Sequence, residues 1–325
     1  MTFSRKSGRD IMISGKIIFP DLDPEFRRNK FLVPEGRIRA VLDTDTFNEV
    51  DDQFAVSMAM LAPEKFDMRA ITAAPFLNTK SESPADGMRK SYDELLRLMK
   101  LLHHPHENFI IKGSESYLPD RNTPVDSPAA RRIVELAHEA NAAGENLWIM
   151  SIAAITNVAS ALLMDPEIVR MVTVVWLGGH PLYWLDNREF NLIQDVPAAQ
   201  VIFDSGVPLV QIPCMTIAEN LHTGIDELKA RCEPTGPLGA FLAKRVFDAL
   251  AEYDGYSRII WDIAVPGYFL ALKSYHRTFV PAPSLDDNSA WRQEPGRHEM
   301  ALIRRISRDS VFSCLFNLLK RAPKD

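Results

Sequence analysis

The segment Asp43-Thr44-Asp45-Thr46-Phe47-Asn48-Glu49-Val50-Asp51-Asp52 holds five carboxylates in ten residues. Like charges at this spacing repel, so stability alone would not select them. A helix N-terminus at Asp51 and Asp52 offsets part of the repulsion, and a divalent cation offsets far more. Only oxygen ligands are on offer, with no His or Cys nearby. The implied ion is therefore hard, Ca²⁺ or Mg²⁺ rather than zinc. An EF-hand loop is excluded, because it needs Glu at its last position, about twelve residues in, where this chain has Phe54. A strand ending in Asp-x-Asp also suits an aspartyl-phosphate loop of the haloacid dehalogenase type, but Phe47 and the paired Asp51-Asp52 do not continue that pattern. A plain helix cap with solvated charges accounts for Asp51 and Asp52 and leaves Asp43 and Asp45 without a reason.

Further polar signatures follow along the chain. They are Ser151-Ile152-Ala153-Ala154-Ile155-Thr156-Asn157-Val158-Ala159, then Leu177-Gly178-Gly179, then Glu189-Phe190-Asn191 with Asp195 and Ala198-Ala199. Ser205-Gly206-Val207-Pro208-Leu209 and Trp261-Asp262-Ile263-Ala264 complete the series. Together with Asp43-Thr44-Asp45 and Asp51-Asp52-Gln53-Phe54-Ala55, these motifs resemble, in order, the inosine–uridine nucleoside hydrolase family over about residues 37 to 272. The family opens with a strand, Asp-x-Asp-Pro-Gly-x-Asp-Asp, and a helix. Here the bridge from Thr46 to Val50 is two residues longer and lacks the Pro-Gly, as in a divergent branch.

The resemblance implies calcium-dependent hydrolysis of the N-glycosidic bond of a ribonucleoside, giving ribose and free base. It implies side-chain calcium ligands at Asp45, Asp52 and Asp262, and a backbone carbonyl ligand from Ile152. Asp51, Glu189 and Asn191 would hold ribose hydroxyls, Asn78 would add another ribose contact, and Asp43 would form the pocket floor. Such chemistry builds oxocarbenium character on the sugar, which preorganised carboxylates stabilise. A metal that anchors the diol and lowers the pKa of water would position sugar and nucleophile together. Asp45, touching both, is the expected general base. The match breaks at Trp261, where the family often has a His able to protonate the leaving base; indole can only stack. His180, directly after Gly178-Gly179, is the nearest replacement, with a surface loop histidine as its plain alternative. Phe47, Phe76, Tyr183 and Trp184 are possible base-pocket side chains, with ordinary packing the default.

The elements that must carry these residues are legible as an alternation. Arg39–Leu42, Met68–Ala74, Phe109–Ile111, Leu147–Met150, Val172–Leu177 and Leu209–Ile212 read as strands. Helices are expected from Asp51 to Pro63, Met88 to Leu102, Pro128 to Ala143, Thr156 to Leu163 and Pro197 to Asp204. This order predicts an α/β fold: a mainly parallel, Rossmann-like open sheet flanked by helices. Its ligand should lie beyond the carboxyl ends of the strands, in the loops after Leu42, Ala74, Met150, Leu177 and Ile212. After Pro213 the reading is mostly helical, at about 225–231, 237–252 and 262–272. Residues 1–36 read as an N-terminal arm, and 37–325 as one α/β domain.

The formal charge of −6 argues against nucleic acid as a partner. No apolar run reaches a membrane span, and the N-terminal run Ile11-Met12-Ile13 is too broken for a signal peptide. Cys214, Cys232 and Cys314 form no disulfide framework or CxxC pair, which suits the cytoplasm. Cys214 follows Pro213 at a strand end, with no adjoining base to make it a nucleophile. His103, His104 and His106 end a helix, where cationic side chains complement the dipole. The resemblance implies a homodimer or homotetramer. Two rival functions stay open: a non-catalytic ribose or nucleoside binder that keeps the metal site, and the phosphatase.

Overall fold

The computed structural model describes residues 17–184, 186–252 and 254–324. In chain order the first elements are α1 (Pro24–Asn29), β1 (Ile38–Thr44), α2 (Asp52–Met60), β2 (Phe66–Ala73), α3 (Pro84–Leu101) and β3 (Ile110–Lys112). Next come α4 (Pro128–Ala142), β4 (Leu147–Ser151), α5 (Thr156–Met164), β5 (Val172–Leu177), α6 (Phe190–Gln194), α7 (Val196–Asp204) and β6 (Leu209–Ile212). The rest are β7 (His222–Gly224), α8 (Ile225–Arg231), α9 (Pro237–Glu252), β8 (Ser257–Ile259), α10 (Ala264–Leu270), β9 (Tyr275–Pro281), β10 (Ser284–Leu285), β11 (Trp291–Arg292), β12 (Glu299–Ile306) and α11 (Arg308–Leu319).

Eight strands form one sheet in the order β3-β2-β1-β4-β5-β6-β12-β9. Every neighbouring pair is parallel except β12 with β9. Alternate side chains along each strand feed two cores, one on each face. Ala40 and Leu42 of β1, Trp148 and Met150 of β4, and Val175 and Leu177 of β5 join the core beneath α2, α3, α10 and α11. Val41, Leu147, Ile149, Val174 and Trp176 join the core beneath α4, α5 and α7. Burial on both faces explains why these strands read as continuous apolar runs.

Helix starts follow local chemistry. The Oγ atoms of Ser83 and Ser127 accept the backbone N–H of Asp86 and Ala130, and Pro84 and Pro128 occupy the first turn. The cap at Ser83 starts α3 four residues before the expected Met88.

After Pro213 the three expected helices are present, as α8, α9 and the turn at Trp261–Ile263 that runs into α10, but the region also carries strands that the helical reading left out. β9 and β12 extend the large sheet, and β7 and β8 form a small antiparallel pair. Most of β9 is exposed or half-buried, so it lacks the apolar run that marks the inner strands. Of the expected N-terminal arm, residues 1–16, including the run tested as a signal peptide, lie outside the described residues. Residues 17–36 contain α1, tied to the sheet side by Arg28–Glu299 at 2.8 Å and by a hydrogen bond from the Arg27 guanidinium to the Gly206 carbonyl. No described helix is long and apolar enough to cross a membrane.

Candidate functional site

Loops at the carboxyl ends of β1, β2, β4, β5 and β6 meet the turn before α10 around a cavity of about 320 Å³. Asp45, Asp51, Asp52, Asn78, Ile152, His180, Glu189, Asn191, Trp261 and Asp262 all line it. All the residues expected to hold the ion, the sugar or the base therefore face one space, at the end of the sheet where parallel-sheet ligands bind, whereas Asp43 and the aromatic candidates Phe47, Phe76, Tyr183 and Trp184 do not line it.

The acidic side chains are buried and poorly compensated. One oxygen each of Asp51, Asp52 and Asp262 lies within 4.8 Å of the others. Asp45 feels the charges of Asp52 and Asp51, and neither of its oxygens has a hydrogen-bond partner among the described residues. Asp51 accepts the backbone N–H of Trp261 on Oδ2 at 3.1 Å, which joins the β1 loop to the Asp262 turn. Its Oδ1 is buried without a partner. Asp52 accepts Thr44 Oγ1–H at 2.6 Å.

Burial, reinforced by the charges of Asp52 and Asp51, pushes the Asp45 carboxyl well above the usual carboxylate range. Burial does the same at Asp51, with Asp52 and Glu49 adding repulsion, and at Asp262, with Asp51, Asp52 and Asp45 adding it. Asp52 is pushed up to about 6 by burial, held back by the Thr44 bond. Side chains that resist ionising together are what a bound cation would stabilise.

Asp43 behaves differently. It is fully buried beneath the cavity and takes hydrogen bonds from Thr72 Oγ1 at 2.6 Å and Asn157 Nδ2 at 2.8 Å on Oδ1. Ser151 Oγ donates to its other oxygen at 3.5 Å. Burial still raises it to about 6. Asp43 ties β1, β2, β4 and α5 together beneath the pocket.

The opposite wall comes from the loop after β5. Glu189 caps α6 and accepts backbone N–H groups from Gly179 at 2.8 Å, Asn191 at 2.9 Å and Leu192 at 3.0 Å. Burial raises its pKa, and these backbone N–H bonds, then a hydrogen bond with the Cys214 thiol, counter that. A carboxylate has about four acceptor sites, so Glu189 is largely committed to the protein. Asn191 Nδ2 donates to the Leu177 carbonyl at 2.9 Å. His180 has its backbone N–H fixed by Asn187 Oδ1 at 2.6 Å, and its ring lies 5.2 Å from that of Trp184. Burial lowers its pKa, against the pull of Asp186 and Glu219, which favours the neutral imidazole.

Phe47, Phe76, Tyr183 and Trp184 are absent from the cavity lining; Phe76 is buried and Phe47 and Trp184 are half-buried, in line with packing, whereas Tyr183 is exposed. Cys214 does line it, with burial and Glu189 raising its pKa well above the usual thiol value, so it is no thiolate nucleophile. His103 and His104 are exposed and His106 half-buried, and none belongs to the one potential metal group among the described residues. Asn48, Glu49, Arg188 and Met215 also line the cavity and were missed. Their signal in the sequence was adjacency, with Glu49 also counted in the acidic run: two sit in the long bridge, one precedes Glu189 and one follows Cys214.

Residues 40–271 match the profile of the family described as inosine-uridine preferring nucleoside hydrolase. A pyrimidine-specific ribonucleoside hydrolase of Salmonella typhimurium is 29% identical over 178 residues, which cover 49% of this chain and 55% of that protein. Its counterpart from Escherichia coli O1:K1 is 30% identical over 181 residues, with the same coverage. The chain thus spans about half the length of the curated relatives it matches. Among solved structures, a plant nucleoside hydrolase superposes with a TM-score of 0.68 at 18% identity, covering 87% of this chain and 99% of that one. A purine-preferring ribonucleoside hydrolase from Gardnerella vaginalis gives 0.66 at 21% identity, covering 87% and 100%. These likenesses establish a shared fold.

Proposed function

Because the chain belongs to the inosine-uridine preferring nucleoside hydrolase family, we propose that it hydrolyses the N-glycosidic bond of a ribonucleoside, releasing ribose and free base, with calcium in its carboxylate cavity. The observation that carries this reading is the meeting of Asp262 with Asp51 and Asp52.

The donor set fits a hard cation. It is all oxygen, and both oxygens of Asp45 and one of Asp51 are buried without a hydrogen-bond partner. Asp45, Asp52, Asp262 and the Ile152 carbonyl would hold the ion, with Asp51 close enough to share it. When bound, it would neutralise the carboxylates and make water more acidic.

The chain's own groups do the rest. Asp45 takes a proton from the attacking water, whose oxygen bonds to the anomeric carbon as the C–N bond breaks. The bonding pair leaves with the base. The anionic wall stabilises the positive charge that develops on the sugar. Asp51, Asn78, Glu189 and Asn191 position the sugar. Trp261 offers a ring face to the base, and neutral His180 offers it a hydrogen bond.

The phosphatase reading is disfavoured, because Asp43, its nucleophile, is fully buried, takes three side-chain hydrogen bonds and does not line the cavity. The binder reading is motivated by Trp261 in place of a proton-donating His. The proposal also includes a homodimer or homotetramer working in the cytoplasm, the compartment that suits three free cysteines. Ribose release from a panel of nucleosides, with calcium and with chelator, is the test. Calcium-dependent release is expected; tight nucleoside binding without release from any member would favour the binder.

A further inference from the structure

The bridge that departs from the family motif is built into the cavity wall. Within it, Asn48 and Glu49 line the cavity. Asn48 is held from outside, its Oδ1 accepting Asn78 Nδ2–H at 2.6 Å and its carbonyl accepting Lys80 Nζ–H at 2.7 Å. Glu49 is held from the other side. Arg258 of β8 pairs with its carboxylate, and Arg245 of α9 donates to its carbonyl at 3.3 Å. Four residues from three separate segments thus fix the bridge in one conformation.

An anionic residue at this point has a cost. Glu49 repels Asp51, Asp52 and Asp262, the trio that is already crowded. A neutral Gln could keep a hydrogen bond to Arg258 without that repulsion. The Glu49 side chain remains 41% exposed despite its ion pair, so it can still reach a ligand. Its place follows from its partners. Arg258 lies three residues before Trp261, and Asp51, two residues after Glu49, bonds the Trp261 backbone. Glu49 therefore stands on the Trp261 side of the cavity, between the sugar-holding Asp51 and the surface that faces the base.

Building on the nucleoside reading above, we propose that Glu49 is a specificity-determining residue that accepts a hydrogen bond from an exocyclic amino group on the base, favouring amino-substituted over oxo-substituted nucleosides. An ionised carboxylate attracts an N–H donor and repels a carbonyl oxygen at the same position. Arg258 keeps it aimed. A Gln side chain can donate as well as accept, so it would lose the preference without losing the shape.

The test uses formycin A and formycin B, C-nucleosides that differ in an exocyclic amino or oxo group and have no N-glycosidic bond to cleave. Calorimetric titration of the calcium-loaded protein is expected to show formycin A binding about tenfold tighter than formycin B. In Glu49→Gln that ratio should fall to about twofold or less. The ratio of kcat/KM for cytidine over uridine should fall in parallel. A wild-type ratio near one, or one that Glu49→Gln leaves unchanged, overturns the proposal. Because the formycin readout needs no turnover, a protein that discriminates the pair through Glu49 yet releases no ribose would sink the hydrolase reading and keep this one.

Discussion

Replacing Asp262 with Asn removes one charge from three oxygens that lie within 4.8 Å of one another. If those oxygens share a cation, calcium affinity should fall by at least about tenfold, and ribose release should fall with it. Calorimetry and a reducing-sugar assay on the same preparation check both. Unchanged calcium affinity would mean that Asp262 is no ligand. At this scale most of the cavity was legible, because motifs such as Glu189-Phe190-Asn191 place chemistry-bearing side chains at strand ends. Asn48, Arg188 and Met215 escaped because nothing in their types or spacing marks a residue as facing a cavity, while Glu49 was counted in the acidic run without a role of its own. The double commitment of Glu189, cap and wall at once, also needed the fold, since beyond the local cap donors Asn191 and Leu192 it binds Gly179 and Cys214, from loops that only the folded chain brings to it.

Elements place the site through close backbone contacts. A Cβ on Gly113, just after β3, would lie 1.9 Å from the Ala73 carbonyl oxygen and 2.6 Å from Asn157 Nδ2. Asn157 in turn holds Asp43. Gly113→Ala should therefore destabilise the fold by about 1–3 kcal/mol and loosen the pocket floor; a thermal melt measures the first effect and KM the second. A second prediction concerns the sheet side where α1 docks. Burial, with Arg27 and Arg297 nearby, lowers the His298 pKa from 6.5 to about 4. Between those values the unfolded chain binds a proton that the folded chain refuses, so stability is full above 6.5 and declines as pH falls toward 4. His298→Gln should flatten the melting temperature across that interval. The inner strands β1, β2, β4, β5 and β6 were legible because burial on both faces leaves apolar runs. β9 and β12 were not: β9 is half-exposed, and its place depends on antiparallel pairing with β12, a contact that local periodicity does not encode.

At the scale of the molecule, the parallel sheet gathers loops from five strand ends and adds the Trp261–Asp262 turn from beyond α9. The carboxylate-rich bridge and Asp262 are distant in sequence, yet Asp51 bonds the Trp261 backbone and closes the circle. That closure turns a run of repelling charges into a candidate ion site. The most direct measurement is a crystal structure grown with calcium and a ribose-like inhibitor. One ion is expected, coordinated by Asp45, Asp52, Asp262 and the Ile152 carbonyl, with Asp51 on a sugar hydroxyl. An ion bound elsewhere, or Asp262 left uncoordinated while the inhibitor is in place, would contradict it.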